Sequence, residues 1–567
     1  MVVVKLEAIQ RISTDVLVIG GGAAGLRAAI EARKFSLKVA LTSESRVGFQ
    51  NNTAISKATF AAAGIWKEPG DSPETHFKDS LAAGRFINDR RLVATMTHTV
   101  RQQVSHLKKF GVNFRQHDGE LLIGQAPGHT YPRHVSAEAT KGINITRPMR
   151  QHAASLGIQF IEGVLVTRLL RAGDRVAGVL GIDDKGQVLV ITAKSTILAT
   201  GGAGRIYRRT NNAIGSTGDG YVLAYDIGAV LRDMEFVQFY PTGWGKQGSK
   251  LCLYEWLIPI GATIRNSLGV DILKRYGMND FASVTRDILT RTVMREILDG
   301  RGIEGNVILD FTTVPEGKTK VLQRGGLVNK EGKPEQIAVA PTTHFFMGGI
   351  RINESSETGI DGLYAAGEVC GGLHGANRLG GNAISETLTF GTIAGNQVAS
   401  SATKMENIPV PHSEIKAEVE RLKELASGTR RENLDELQQV LTQTMWDKVG
   451  VIKDRQNLED ARKEILVIRE QLAAVSLTDH HQLPQAIKLA NMLTVSEMVC
   501  RAALMRTESR GAHYRTDYSE EDNQRWLKTI EISCQNRKMV LKAASVPEEI
   551  NQKSFAPHTD RSILREV

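Results

Sequence analysis

The sequence predicts an α/β chain of several domains: a Rossmann-like nucleotide-binding fold assembled in two passes, a segment inserted between them, and a helical region after both. Three observations predict it. Asp15-Val-Leu-Val-Ile19 reads as a short buried strand that runs into the turn Gly20-Gly21-Gly22-Ala23-Ala24-Gly25 and then a helix from Leu26 to Lys34. Glycine-rich turns return at 201–204, 215–220 and 362–367. Beyond Pro411, apolar residues recur at steps of three and four, the spacing of an amphipathic helix.

In the first loop, Gly20, Gly22 and Gly25, with the small Ala24, allow positive φ and let backbone N–H groups approach a pyrophosphate at the positive end of the following helix. The next strand, Leu37 to Leu41, ends at Thr42-Ser43 rather than at the acidic residue that commonly holds a ribose hydroxyl, although Glu44 is near. NAD is therefore disfavoured. Thr196-Ile-Leu-Ala-Thr200-Gly201-Gly202-Ala203-Gly204 and Gly215-Ser-Thr217-Gly218-Asp219-Gly220, which opens a helix, add two more nucleotide-like turns, and Gly362-Leu-Tyr-Ala-Ala-Gly367-Glu368 follows. Together they suit FAD. Asp219 and Glu368 are of a type to bond ribose or ribityl hydroxyls, with helix capping and turn formation as their alternative use.

Met405-Glu-Asn-Ile-Pro409-Val-Pro411 reads as a linker. After it come the helical stripes Ile415, Val419, Leu422 and Leu425, then Leu458, Ala461, Ile465, Ile468 and Leu472, with Gly428 as a helix stop between them. Stripes of this kind pack a bundle.

The chain is 567 residues long and 41% hydrophobic, enough for more than one sizeable core. Its net charge of +9 is spread out, and no basic stretch interleaved with aromatics appears, so nucleic acid is excluded as a partner. Cys252, Cys370, Cys500 and Cys534 form no CxxC pair, which speaks against a disulfide framework, a bound metal or an iron–sulfur cluster within this chain. They read as free thiols in a reducing compartment. Met1-Val-Val-Val4 lacks the charged start of a signal sequence, and no apolar run approaches the roughly 20 residues that span a bilayer. A cytoplasmic chain is expected.

Long motifs then carry a resemblance. The N-terminal loop, Thr217-Gly-Asp219-Gly220, Pro241-Thr242-Gly243, Arg286-Asp287, Thr343-His344-Phe-Phe-Met-Gly348-Gly349, His374-Gly-Ala-Asn377-Arg378-Leu-Gly-Gly-Asn382 and Arg506-Thr-Glu508-Ser-Arg510-Gly-Ala-His513 together resemble the flavoprotein subunit of the succinate dehydrogenase and fumarate reductase family, over nearly the whole chain. The resemblance implies a Rossmann-like FAD-binding domain (1–235 and 350–405), an inserted α+β capping domain (236–349) that closes over the flavin, a C-terminal helical bundle domain (406–530) and a C-terminal segment (531–567). It also implies two kinds of partner: an iron–sulfur electron-transfer subunit, and membrane-anchor subunits that would hold the protein on the inner face of the cytoplasmic membrane. The helical region, including Met445-Trp446-Asp-Lys-Val-Gly450, goes with the iron–sulfur partner.

Roles follow from the same resemblance. FAD is held by Gly20, Gly22, Ala24, Gly25, Ser43, Asn52, Thr53, Thr200, Gly201, Asp219, Glu368 and Asn382. Arg378 and His344 grip the carboxylate of a small unsaturated acid, where positive donors stabilise developing charge. Arg286 is the general acid and Glu255 supplies its proton.

Three departures accompany the matches. Asn52 stands where many family members carry a histidine bonded covalently to the flavin, so non-covalent FAD is expected, and with it reduction of an alkene rather than oxidation of succinate. In the pocket, Tyr240 replaces the histidine before Pro-Thr-Gly and Tyr254 replaces the threonine before Glu255. The distal arginine of the proton relay falls at Ile258. One carboxylate pole is kept and the other is rebuilt with phenols and alkyl surface, which favours an apolar or aryl tail. Fumarate remains the first substrate expected. The alternatives are L-aspartate oxidase chemistry, another alkenoic acid and a non-catalytic electron-transfer subunit.

Overall fold

Four consecutive apolar residues with no polar interruption suit a parallel strand covered on both faces, and Val16–Ile19 (β1) is buried throughout. The computed structural model describes residues 9–65, 70–281, 284–325, 327–430, 432–479 and 481–546. β1 turns into helix Ala23–Arg33 (α1), which begins inside the glycine motif rather than at Leu26. The following strand is Val39–Ser43 (β2), two residues later than the apolar pattern placed it, because Thr42 and Ser43 continue its hydrogen bonding. Strands Gln159–Glu162 (β3) and Ser195–Leu198 (β4) follow, and Asp219–Asp226 (α2) opens at the third glycine turn.

The chain then leaves this sheet. Val237–Trp244 (β5), helix Arg286–Glu296 (α3) and the long strand Gln336–Phe346 (β6) belong to the insertion, whose antiparallel sheet has the order Lys250–Leu251, β5, β6, Val307–Asp310, Thr263–Arg265. This insertion has its own core, in which Tyr254, Ile264, Leu289, Val293, Leu309 and Phe311 are buried. Leu363–Ala365 (β7) then returns to complete the parallel sheet in the order β7-β4-β1-β2-β3, and Asn382–Ala402 (α4) packs on α1. The crossing is close because Gly391 and Gly395 face the Ala24 and Ala28 carbonyls, where a Cβ would collide.

The helices His412–Ala426 (α5), Leu434–Lys448 (α6), Arg455–Ala473 (α7) and Gln482–Met505 (α8) form the C-terminal bundle. The expected stripes are buried, Leu425 only partly. Gly428 is not a left-handed helix stop. It lies two residues past α5, and its hydrogen faces the Val475 carbonyl at a distance no Cβ would allow, beside the Arg430 N–H to Ala474 carbonyl bond of 2.8 Å.

After α8 a hairpin, Lys528–Gln535 and Lys538–Ser545, joins the sheet of Leu231–Arg232, Gly349–Arg351 and Cys370–Gly371, the first two of which flank the insertion. Arg506 anchors it, donating to the Lys528 carbonyl at 2.8 Å while pairing with Glu235 at 2.7 Å and Glu508 at 2.9 Å, all three side chains of the ion pairs being buried. Residues 547–567 of the C-terminal segment and Met1–Val4 lie outside the described residues. All four cysteines are free. Among the described residues no helix is long and apolar enough to cross a membrane.

Candidate active site

The carboxyl ends of β1, β2 and β4 and the start of α1 open onto one cavity of about 1190 Å³, which runs on beneath the inserted segment. The first glycine loop forms its floor. Gly20 has φ +121° and its hydrogen faces the Ala199 carbonyl, so only glycine fits there. Gly22 is the N-cap of α1, and the nearest atom to where its Cβ would stand is 3.9 Å away, so the uncapped helix start faces open space. Ala24, Ser43, Thr53, Thr200 and Gly201 also line the cavity. Gly25 does not; it lets α1 close on the Gly20 carbonyl, which is packing rather than ligation. Asn382 is likewise outside the wall, its amide held by the Ser80 hydroxyl at 2.9 Å and by His76 Nε2 at 2.8 Å.

Polar groups converge on the cavity from distant segments. Glu368 accepts from the Asn52 amide at 3.2 Å and the Phe346 N–H at 3.1 Å, and burial pushes its pKa up to about 7. Asn52 is held on its other side too, its Oδ1 accepting from Ala213 N at 2.8 Å and Ser216 Oγ at 3.2 Å. Asp219 accepts from Thr217 and from Asn491 of α8, each at 2.6 Å, while burial raises its pKa. Glu44, also in the wall, pairs with Lys488. The bundle thus reaches the nucleotide end through two side chains of α8 that the sequence did not single out.

At the other end two guanidiniums face each other across one amide. Gln238 Oε1 accepts from Arg378 at 2.9 Å and from Arg286 at 3.5 Å, and Gln238 Nε2 donates to Asn377 Oδ1 and the Arg378 carbonyl, both at 2.9 Å. Burial, then the charge of Arg286, lowers Arg378 to about 9, and its Nε is buried with no partner among the described residues. His344 Nδ1 meets Asn211 Oδ1 at 3.3 Å. Burial and the two arginines hold this imidazole well below its usual range, so it is neutral. Arg378 stacks over Phe345 at 4.8 Å.

Arg286 opens α3 and forks onto Glu255 Oε1 from Nε at 3.2 Å and from Nη2 at 3.0 Å. Burial opposes its charge, but Glu255 and the two phenols outweigh it and the pKa is raised. The Tyr240 hydroxyl donates to the other oxygen, Glu255 Oε2, and its ring lies 5.2 Å beneath Arg286 and 5.5 Å from that of His344. Tyr254 falls outside the wall: it is fully buried behind Tyr240, ring to ring at 5.5 Å, with its hydroxyl toward Arg286. Tyr254 therefore shapes Tyr240 instead of lining the space where an acid would sit. Trp256, 42% exposed, stands at the cavity mouth.

The sequence brought forward Arg286, Glu255, His344 and Arg378, and the fold gathers them at this pole. Gln238 was missed, although it stands two residues before Tyr240 on one strand, the spacing that puts side chains on a common face. His134 was missed as well. It lines the cavity and touches a buried group, with His129 Nε2 and the Gly380 carbonyl each 3.1 Å from its Nε2.

The FAD binding domain family matches residues 15–384, and the fumarate reductase flavoprotein C-term family matches residues 438–562. Over 543 residues the chain is 36% identical to one subunit of the fumarate reductase (CoM/CoB) of Methanothermobacter marburgensis, covering 93% of this chain and 97% of that relative. It is 30% identical over 543 residues to an L-aspartate oxidase of Nostoc sp., covering 89% and 90%. The solved structure of Mycobacterium smegmatis Sdh1 in complex with UQ1 superposes with a TM-score of 0.85 at 31% identity, covering 95% of each chain.

Proposed function

The chain belongs to the fumarate reductase and succinate dehydrogenase family of FAD-binding flavoprotein subunits and is an FAD-dependent oxidoreductase, and from that premise we propose that it reduces the double bond of a small α,β-unsaturated carboxylate. Fumarate is the first such acid to consider. The observation that carries this reading is the pole itself: a buried guanidinium, a second that is partly buried and backed by a carboxylate, and a neutral imidazole around open space.

The residues present fit the cofactor. A glycine cradle that a Cβ would fill and an uncapped helix start face the cavity, and Thr200 and Gly201 stand in its wall. FAD, when bound, supplies the hydride. Gly20, Gly22, Ala24, Thr200, Gly201, Asp219 and Glu368 would hold it, with Ser43 and Thr53 beside them. Asn52 offers no nucleophile, and its amide is committed on both sides. The cofactor is non-covalent in this reading.

Arg378 and His344 hold the substrate carboxylate, and Arg378, its Nε still unpaired, stabilises the charge that builds there in the transition state. Arg286 gives its proton to the neighbouring carbon. An arginine is a poor acid in water, so the step needs burial and a group that restores the proton. Glu255 is that group. The inserted segment 236–349 closes over the pole and excludes water. Tyr240, braced from behind by Tyr254, lines the far side of the pocket with Leu253, Trp256 and Leu257, so an acid with an apolar or aryl tail is accommodated there. Electrons arrive from an iron–sulfur subunit, while anchor subunits place the assembly on the inner face of the cytoplasmic membrane. The Methanothermobacter relative, whose name makes it one subunit of several, supports a multi-subunit protein.

Anaerobic stopped-flow of dithionite-reduced protein against fumarate, then crotonate and cinnamate, tests the reading through flavin absorbance. Reoxidation by fumarate supports a dicarboxylate substrate, and reoxidation by cinnamate alone supports an aryl tail. No reoxidation by any acid refutes the reductase. Hydrogen peroxide formed with L-aspartate would instead favour the oxidase chemistry of the Nostoc relative's name.

A further inference from the structure

Glu255 has two oxygens and the structure gives each a different neighbour. Oε1 takes both forks of Arg286, and Oε2 takes the Tyr240 hydroxyl. Among the described residues no other side chain bonds this carboxylate. Ile258, three residues on, is apolar and packs against the core of the insertion, so no charge continues the chain in that direction. Tyr240 is 1% exposed yet lines the cavity, as Trp256 does at its mouth.

We propose that Tyr240 is the relay hydroxyl through which solvent restores the proton on Arg286, by way of Glu255, rather than a group that grips substrate. The inference rests on the reductase reading. After Arg286 has passed its proton to carbon it is a neutral guanidine. A solvent proton reaches the Tyr240 oxygen as Tyr240 hands its own to Glu255 Oε2. A half-turn of the carboxyl about Cγ–Cδ brings that proton to the Arg286 side, where it returns to the guanidine and leaves Glu255 a carboxylate. One solvent proton is consumed for each proton delivered, and no electrons move. Burial, and then the charge of Glu255, keeps the Tyr240 proton well above its usual range, so the phenol exchanges one proton for another instead of ionising.

A relay is needed only after the first turnover, because Arg286 starts protonated. Tyr240→Phe keeps the ring and removes the oxygen. With fumarate, or crotonate or cinnamate where fumarate is not accepted, the first reoxidation of pre-reduced flavin is expected to stay within about threefold of the parent protein. Steady turnover driven by reduced methyl viologen should fall at least about tenfold and become limited by a step with a larger solvent isotope effect. Tyr240→His, which keeps a group able to carry a proton, should recover part of the steady rate with a shifted pH profile. In the resting protein, the infrared carboxylate band that Glu255→Gln removes should move in Tyr240→Phe.

Loss of the first reoxidation together with a raised half-saturation would make Tyr240 a substrate-gripping residue and overturn the relay. Unchanged steady turnover, or an unmoved Glu255 band, would overturn it too. A parent protein silent with all three acids refutes the reductase reading and the relay with it, whereas a fast parent and a fast Tyr240→Phe refute the relay alone.

Discussion

Arg286 and Arg378 lie far apart in the chain and meet over a single amide oxygen, so each raises the cost of keeping the other charged. Arg286→Lys is expected to lower steady turnover by about a thousandfold or more while the bound-flavin spectrum stays the same, since the fork onto Glu255 and the reach to carbon are lost together; a normal rate would remove Arg286 from the chemistry. His76, His129 and His134 pose the opposite problem, being buried neutral. Burial lowers His134 from 6.5 to about 4, with Arg286, Arg133 and Arg378 adding to it. The unfolded chain therefore binds the proton first: this contribution to stability is whole above about pH 6.5 and is lost as the pH falls toward 4. It amounts to on the order of 3 kcal/mol for His134. His134→Gln should flatten the fall in thermal midpoint between about pH 6.5 and 5, and an unchanged slope would show that another group sets it. Residue types that announce chemistry, such as Arg378, were legible. Gln238 and the buried imidazoles were not, because an amide or a histidine declares no partner until the fold supplies one.

At the scale of elements, apolar period located α5 and α7, whose one-sided stripes face the bundle. It could not locate α8, which buries Leu483, Ile487, Met492, Val495, Met498 and Ala502 on several faces and so has no single stripe. The glycine turns located strand ends to within a few residues and missed why particular glycines are there: Gly25 and Gly428 answer to nearby carbonyls, not to a ligand or a helix stop. The α1 and α4 crossing makes the same point. Gly395→Leu should push the helices apart and cost about 3 kcal/mol in urea or thermal unfolding, and Gly395→Ala somewhat less; a tolerated leucine would mean the crossing is looser than its carbonyl contact implies.

For the whole molecule, the two-pass organisation was readable from the return of glycine turns at 362–367, whereas the bond between the C-terminal hairpin and the edges of the insertion was not, since strand partners so distant leave no local pattern. Because the nucleotide cavity is walled by loops, by the insertion and by residues that α8 holds in place, FAD should stabilise all of them at once. Adding FAD to stripped protein is expected to raise the thermal midpoint by several degrees. Acid precipitation should leave the pellet colourless and the supernatant yellow; a yellow pellet would mean a covalent bond. The parallel sheet draws its strands from residues 16–19, 39–43, 159–162, 195–198 and 363–365, and the hairpin that ties the insertion's edges together is not made until residue 545. A ribosome must therefore deliver most of the chain before the first sheet can close. The nascent protein waits with one side of β4 unpaired until β7 arrives, and that interval is when a chaperone has the most to protect.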